Sequence, residues 1–355
     1  MKDRTRLRFG GVPVPRGHTA DIRLKISETY TGEDVILPIR VARAKKAGKV
    51  GFVTAAVHGD ELNGTGIIHD FLSDGPGDLL RGTLVLVPVV NVFGFEGNAR
   101  YMPDGRDLNR SFPGIAAGSL AARVAHTLMR EIILKCDFGI DLHTAAFQRT
   151  NFPNVRADLR DPAVRELAHS FGCALVVDGK GPEGSLRRAA CAAGVPTIIL
   201  EAGEPYKIEP SVLEIGAGGL RNVLRHFGML PGPVSKPPFL SDIRKTLWVR
   251  AAQGGILRFH VAPGDFVDAG QPLASIQSLL GEHREVILSP REGIILGMTT
   301  MPGVKPGEPV CHVAIPSRNV AALRRQMNRA KEGLHHRAQS DLATSFSVSD
   351  HDART

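Results

Sequence analysis

Only four cysteines occur in 355 residues, and they are scattered as Cys136, Cys173, Cys191 and Cys311 with no C-x-x-C pair. That argues against a disulfide scaffold and a cysteine-type zinc knuckle, and it fits a reducing, cytoplasmic setting. Aromatic residues are scarce at 5%, with one tryptophan and three tyrosines. This is a poor stacking platform for single-stranded nucleic acid. No stretch approaches the roughly 20 apolar residues that cross a bilayer. Residues 1–10 are polar and basic and show no apolar region of the signal-peptide kind. The basic excess, 44 lysines and arginines against 36 acidic residues, forms no block of five or more like charges. Neither a nucleic acid nor a membrane is therefore an expected partner. What is present is an ordinary globular composition, 43% apolar and 23% charged. The length suits one large domain or two.

Strand and helix signals alternate along the first two hundred residues. Residues 20–27 and 35–41 read as strands. The apolar runs KVGFVTAAV (49–57) and TLVLVPVV (83–90) read as buried strands. Helical spacing appears over 62–72, over 119–134 with Ser119 as N-cap, and over 163–171. Short strands are expected at 138–142, 174–177 and 197–200. Such alternation predicts an α/β fold with a mostly parallel sheet and helices on both faces.

A Pro/Gly-rich stretch, LPGPVSKPP (230–238), reads as a domain edge. Beyond it lies an internal repeat, GGILRFHVAPGDFVDAGQPLASI from Gly254 and EGIILGMTTMPGVKPGEPVCHVA from Glu292. Two such β units that complete each other predict a compact β-sandwich, similar to a biotinyl/lipoyl-type hammerhead. No lysine occurs between Lys245 and Lys305, so a swinging-arm carrier role is not expected. The expected division is a catalytic domain over 1–232, a β domain over 240–316, and a segment 317–355. In that last segment a basic helix over 319–330 carries Val320, Leu323 and Met327 on one face. The polar stretch 334–355, with His335 and His336, is expected to be a disordered tail.

The chemistry-bearing residues fall at the predicted C-terminal ends of strands, the edge where open α/β sheets bind ligands. His58 and Glu61 follow one buried strand, His143 closes another as Asp141-Leu142-His143, and Glu201 follows TIIL. A strand-to-helix bend can turn His58 and Glu61 toward one point, and His143 would complete a two-histidine, one-glutamate set. Three protein ligands with an open position is the catalytic zinc arrangement. Zinc acidifies its bound water and polarises a carbonyl. Glu201 is placed to take the proton from that water, and Asp141 to orient a ligand imidazole. Between the ligand segments, NARYMPDGRDLNRSFP (98–113) offers Arg100, Arg106, Asn109 and Arg110. Guanidinium groups grip carboxylates in bidentate fashion and can stabilise an oxyanion.

Together HGDELNG, RYMPDGRDLNRSFPG, DLHTA and EAGEP resemble the succinylglutamate desuccinylase/aspartoacylase family, a branch of the zinc carboxypeptidase superfamily, over roughly residues 50–228. The resemblance implies a zinc-carboxypeptidase-like mixed sheet followed by a β domain. It implies His58, Glu61 and His143 as ligands of one zinc ion per chain. It implies Glu201 as the base that activates water and later protonates the leaving amine. Arg100 is implied as the group that polarises the scissile carbonyl, with Arg106 as its competitor. Asn109 and Arg110 are implied as the grip on a substrate carboxylate. No tyrosine follows Tyr206, whereas aspartoacylases use one from the C-terminal domain. The hairpin 279–285, with His283 and Arg284, is a candidate cap over the cleft. The expected activity is zinc-dependent hydrolysis of the amide bond of a small N-acyl amino acid or related carboxylate-bearing amide. Trimming of a C-terminal residue from a peptide is the alternative. A homo-oligomer is compatible with the sequence but not specified by it.

Overall fold

The computed structural model describes residues 6–29, 31–73, 79–316, 320–329 and 333–343. In chain order the first strands are β1 (Arg8–Phe9), β2 (Val12–Pro13), β3 (His18–Glu28), β4 (Asp34–Arg43), β5 (Val50–Ala55) and β6 (Thr83–Val87). They are followed by β7 (Phe138–His143), β8 (Arg149–Ala157), β9 (Leu175–Asp178) and β10 (Thr197–Gly203). The helices among them are α1 (Asn63–Ser73), α2 (Val92–Glu96), α3 (Leu120–Glu131), α4 (Pro162–Phe171), α5 (Leu186–Ala192) and α6 (Pro210–His226). Ser119 caps α3 by accepting from the Ala122 N–H, as its position in the sequence predicts.

Parallel pairing runs through β6, β5, β7 and β10. Both β5 and β7 are buried at every position, as a strand covered on both faces must be. Alternate residues of β5 serve opposite faces. Val53 and Ala55 join the apolar cluster formed with α1, α4 and α6, whereas Val50 and Phe52 join the one formed with α3 and α5. The sheet is mixed rather than mostly parallel. β4 and β3 extend it antiparallel on one side, and on the other β8 runs antiparallel to β10.

The C-terminal strands are β11 (Ser241–Arg250), β12 (Gly255–Phe259), β13 (Phe266–Val267), β14 (Pro272–Gln277) and β15 (His283–Leu288). They are completed by β16 (Gly293–Thr299), β17 (Gly303–Val304) and β18 (Pro309–Pro316). They are not a free-standing module. β11 pairs in parallel with β9, and β16 pairs with β8, so β11, β18, β16 and β13 continue the central sheet to twelve strands. The other four, β15, β14, β12 and β17, form a second sheet, and a buried apolar cluster draws on both layers.

Helix α7 (Val320–Arg329) buries Leu323 and packs Met327 against the core, as its apolar spacing predicts. The expected disordered tail is corrected over part of its length. Residues 334–343 form helix α8 (Leu334–Ala343), with Ala338 and Leu342 fully buried. The ring of His335 lies 5.5 Å from Phe239 and 5.9 Å from Phe152. The remainder of that expectation, residues 344–355, lies outside the described residues. No helix among the described residues is long and apolar enough to cross a membrane.

Candidate metal centre and active-site cleft

After β5 the chain bends through Ala56, whose φ of 48° is in the left-handed region. Gly59 then packs backbone to backbone on α2. A Cβ there would lie 2.0 Å from the Gly94 carbonyl carbon, so only glycine fits. This close approach brings His58 and Glu61 to the mouth of β5. His143 arrives at the end of the neighbouring β7.

The three side chains are all buried, and their ligand atoms lie within 4.8 Å of one another. Glu61 is the hub. Its Oε1 is 2.7 Å from His58 Nδ1 and accepts from Arg100 Nη1 at 2.8 Å. Its Oε2 is 2.7 Å from His143 Nδ1 and accepts from the Thr144 N–H at 3.1 Å. Each imidazole has a carboxylate behind it. His143 Nε2 lies 2.9 Å from Asp141, which also accepts from Thr54 Oγ1 at 2.7 Å. His58 Nε2 lies 3.2 Å from Asp107.

Burial alone would push the Glu61 carboxyl up, but the flanking His58 and His143 outweigh it and hold it well below the usual range. Burial alone would lower His143, yet Asp141 and Glu61 raise it well above the ordinary value. For Asp107, burial opposes the shift, and His58 brings it down to about 2. The cluster is thus built to hold positive charge. Two imidazoles and a carboxylate, with each imidazole backed by a second carboxylate, fit a divalent cation such as zinc.

The cluster lies in a cleft of about 440 Å³ that also contains Arg100, Asn109, Arg110 and Glu201. Glu201 sits beside His143 in register. Its Oε2 accepts from Asn151 Nδ2 at 2.9 Å, and Arg156 stands 3.5 Å from its Oε1. Asn151 is given room by Gly297 of β16, where a Cβ would fall 2.6 Å from its Oδ1. Asn109 is buried, and its Oδ1 accepts from the Leu186 N–H at the start of α5, which ties the arginine-bearing turn to that helix. Two expected contacts are not brought to the cleft. Arg106 is 58% exposed, pairs with Asp104 and does not line the cleft, whereas Arg100 does. The hairpin with His283 and Arg284 does not line it either. The C-terminal strands contribute Trp248 and His312 instead, cross-strand neighbours whose rings stack 4.4 Å apart.

Five arginines line the cleft against three acidic residues, so its field favours an anion. Arg187 is nearly fully buried, and its Nε, like that of Arg156, has no hydrogen-bond partner. Asp107, Arg149, Asn151, Arg156, Arg187, Trp248 and His312 escape the sequence reading. Asp107 was within reach, because it belongs to the same DLNR segment as Asn109 and Arg110.

Residues 47–227, slightly more than half of the chain, match the family model of the succinylglutamate desuccinylase/aspartoacylase catalytic domain. The chain belongs to this family. It is 26% identical over 294 residues to the N-alpha-acetyl-L-2,4-diaminobutyric acid deacetylase of Halomonas elongata, covering 79% of this chain and 86% of that protein. Among solved structures, a succinylglutamate desuccinylase/aspartoacylase from Rhodobacter sphaeroides superposes with a TM-score of 0.74 at 25% identity, over 85% of this chain and 96% of that one. The product-bound ectoine utilization protein EutE (DoeB) from Ruegeria pomeroyi shares the fold at a TM-score of 0.76 and 23% identity, over 86% of this chain and 97% of that one. As a family member, the chain is related to proteins named as deacylases, which matches amide hydrolysis as the expected type of reaction.

Proposed function

We propose that the protein is a metal-dependent deacylase that hydrolyses the C–N bond of a small carboxylate-bearing amide. The observation that carries this is the convergence of His58, Glu61 and His143 in a cleft that also holds Glu201 and a surplus of arginines. His58, Glu61 and His143 would hold one zinc ion, which when bound polarises a carbonyl and acidifies water. Glu201 takes a proton from water and later returns it to the departing amine. Asn151 and Arg156 aim its carboxylate. Arg100 donates to the oxygen on which charge develops. Arg110 grips the substrate carboxylate, and Asn109 fixes the turn that presents it. Asp141 and Asp107 orient the two imidazoles. The named deacetylase among the relatives supports a small N-acyl amino acid over a peptide as substrate.

The test is Glu201→Gln in zinc-loaded protein assayed on N-acyl amino acids. Turnover should fall by about 100- to 10,000-fold while bound metal per chain is unchanged. A variant that keeps its turnover, or that loses its metal, would contradict the role given to Glu201.

A further inference from the structure

Phe147, Ile256, Leu279, Leu280 and Met301, five of the large apolar side chains exposed among the described residues, line one groove of about 810 Å³. Leu279 and Leu280 are 87% and 92% exposed. A single exposed leucine needs no explanation, but a cluster rimmed by Glu282, Arg284 and Lys305 marks a binding surface. The walls are fixed. The tip carrying the two leucines is closed by Ser278 N–H to Glu282 O at 2.8 Å and Gly281 N–H to Ser278 O at 3.0 Å. Thr300 N–H donates to the Gln148 carbonyl at 3.0 Å, which ties the end of β16 to the segment after His143.

That segment also borders the catalytic cleft. Thr144, Ala145 and Ala146 line the catalytic cleft, Phe147 and Gln148 line the groove, and Arg149 lines both. The groove and the cleft therefore meet at Arg149, along the backbone that leaves His143. Arg110, the carboxylate grip, lines the cleft and not the groove.

We propose that this groove receives the aliphatic chain of the substrate's acyl group, on the far side of the scissile bond from the carboxylate at Arg110. The preferred amides then carry a medium or long acyl chain rather than acetyl. This rests on the deacylase reading above.

The experiment compares N-acetyl, N-octanoyl and N-dodecanoyl forms of one amino acid, each below its micellar concentration. The full-length zinc-loaded protein is set beside a Leu279→Ser/Leu280→Ser variant, and binding of the dodecanoyl compound to metal-free protein is measured by calorimetry. The kcat/KM should rise by about tenfold or more from acetyl to dodecanoyl. The double variant should lose that gain and bind the dodecanoyl compound about tenfold more weakly, with acetyl turnover unchanged. Indifference to chain length, or preference for peptides, overturns the proposal. So does a wild-type oligomer that the variant dissociates in ultracentrifugation with its kinetics intact, since the groove would then be an interface between copies. If no N-acyl amino acid is cleaved by metal-loaded protein, the deacylase reading fails, and the calorimetric arm still decides the groove.

Discussion

Glu61 touches both imidazoles, the Arg100 guanidinium and the Thr144 N–H at once. Its two imidazole partners, His58 and His143, were legible in the sequence because each stands at the end of a buried apolar run and the motifs follow in one order. Asp107 lay within that reading's reach but has a simpler local explanation. The same Oδ1 that approaches His58 also caps the turn that follows it, accepting from the Asn109 N–H at 2.8 Å, and a cap is a sufficient reading of an Asp in that place. Arg187 and Trp248 come from segments with no local pattern that points to a site. At this scale the role proposed for Arg110 can be tested. Arg110→Ala should raise KM for carboxylate-bearing amides by about 10- to 100-fold, the worth of a charge-assisted bidentate contact, with kcat little changed. An equal effect on neutral amides would argue against a carboxylate grip.

Elements with strong periodicity were readable, and those whose local preference is overridden by packing were not. Strand β8 reads RTNFPNVRA, with a proline and two asparagines that suggest a loop. It is a nearly fully buried strand because β10 and β9 pair with it on either side. Helix α6 contains Gly216, Gly218 and Gly219, which weaken helix propensity. Two of them are explained by contact. A Cβ at Gly216 would lie 2.2 Å from Ile67, and one at Gly219 would lie 2.1 Å from the Phe171 ring, whereas nothing lies within 4 Å at Gly218. Gly219→Ala should therefore destabilise by about 1–3 kcal/mol through overpacking. Gly218→Ala should stabilise by up to about 1 kcal/mol. Denaturant midpoints of the two variants check this, and equal shifts of the same sign would refute the packing argument.

For the whole molecule, the pairing of β11 with β9 and the docking of α8 were invisible in the sequence, because contacts between distant segments leave no local mark. Docking of α8 carries a pH dependence. Burial pushes the His335 imidazole down to about 4, against roughly 6.5 in an unfolded chain. Between those values the unfolded state binds the extra proton, so this contribution is constant above pH 6.5 and stability falls as pH drops toward 4. The loss at pH 5 is about 2 kcal/mol. His335→Leu should lose less stability than the parent between pH 7 and pH 5 in denaturant titrations, and an unchanged difference would mean that the imidazole is not buried neutral. His58, Glu61 and His143 meet at the ends of the neighbouring strands β5 and β7, and metal content tests most directly whether they form a metal site. Protein purified without added metal, then exposed to micromolar zinc and dialysed, is measured beside His143→Ala by elemental analysis. The account predicts about one zinc per chain, lost in the variant. A parent protein that takes up no metal, or a variant that keeps a full equivalent, would contradict it.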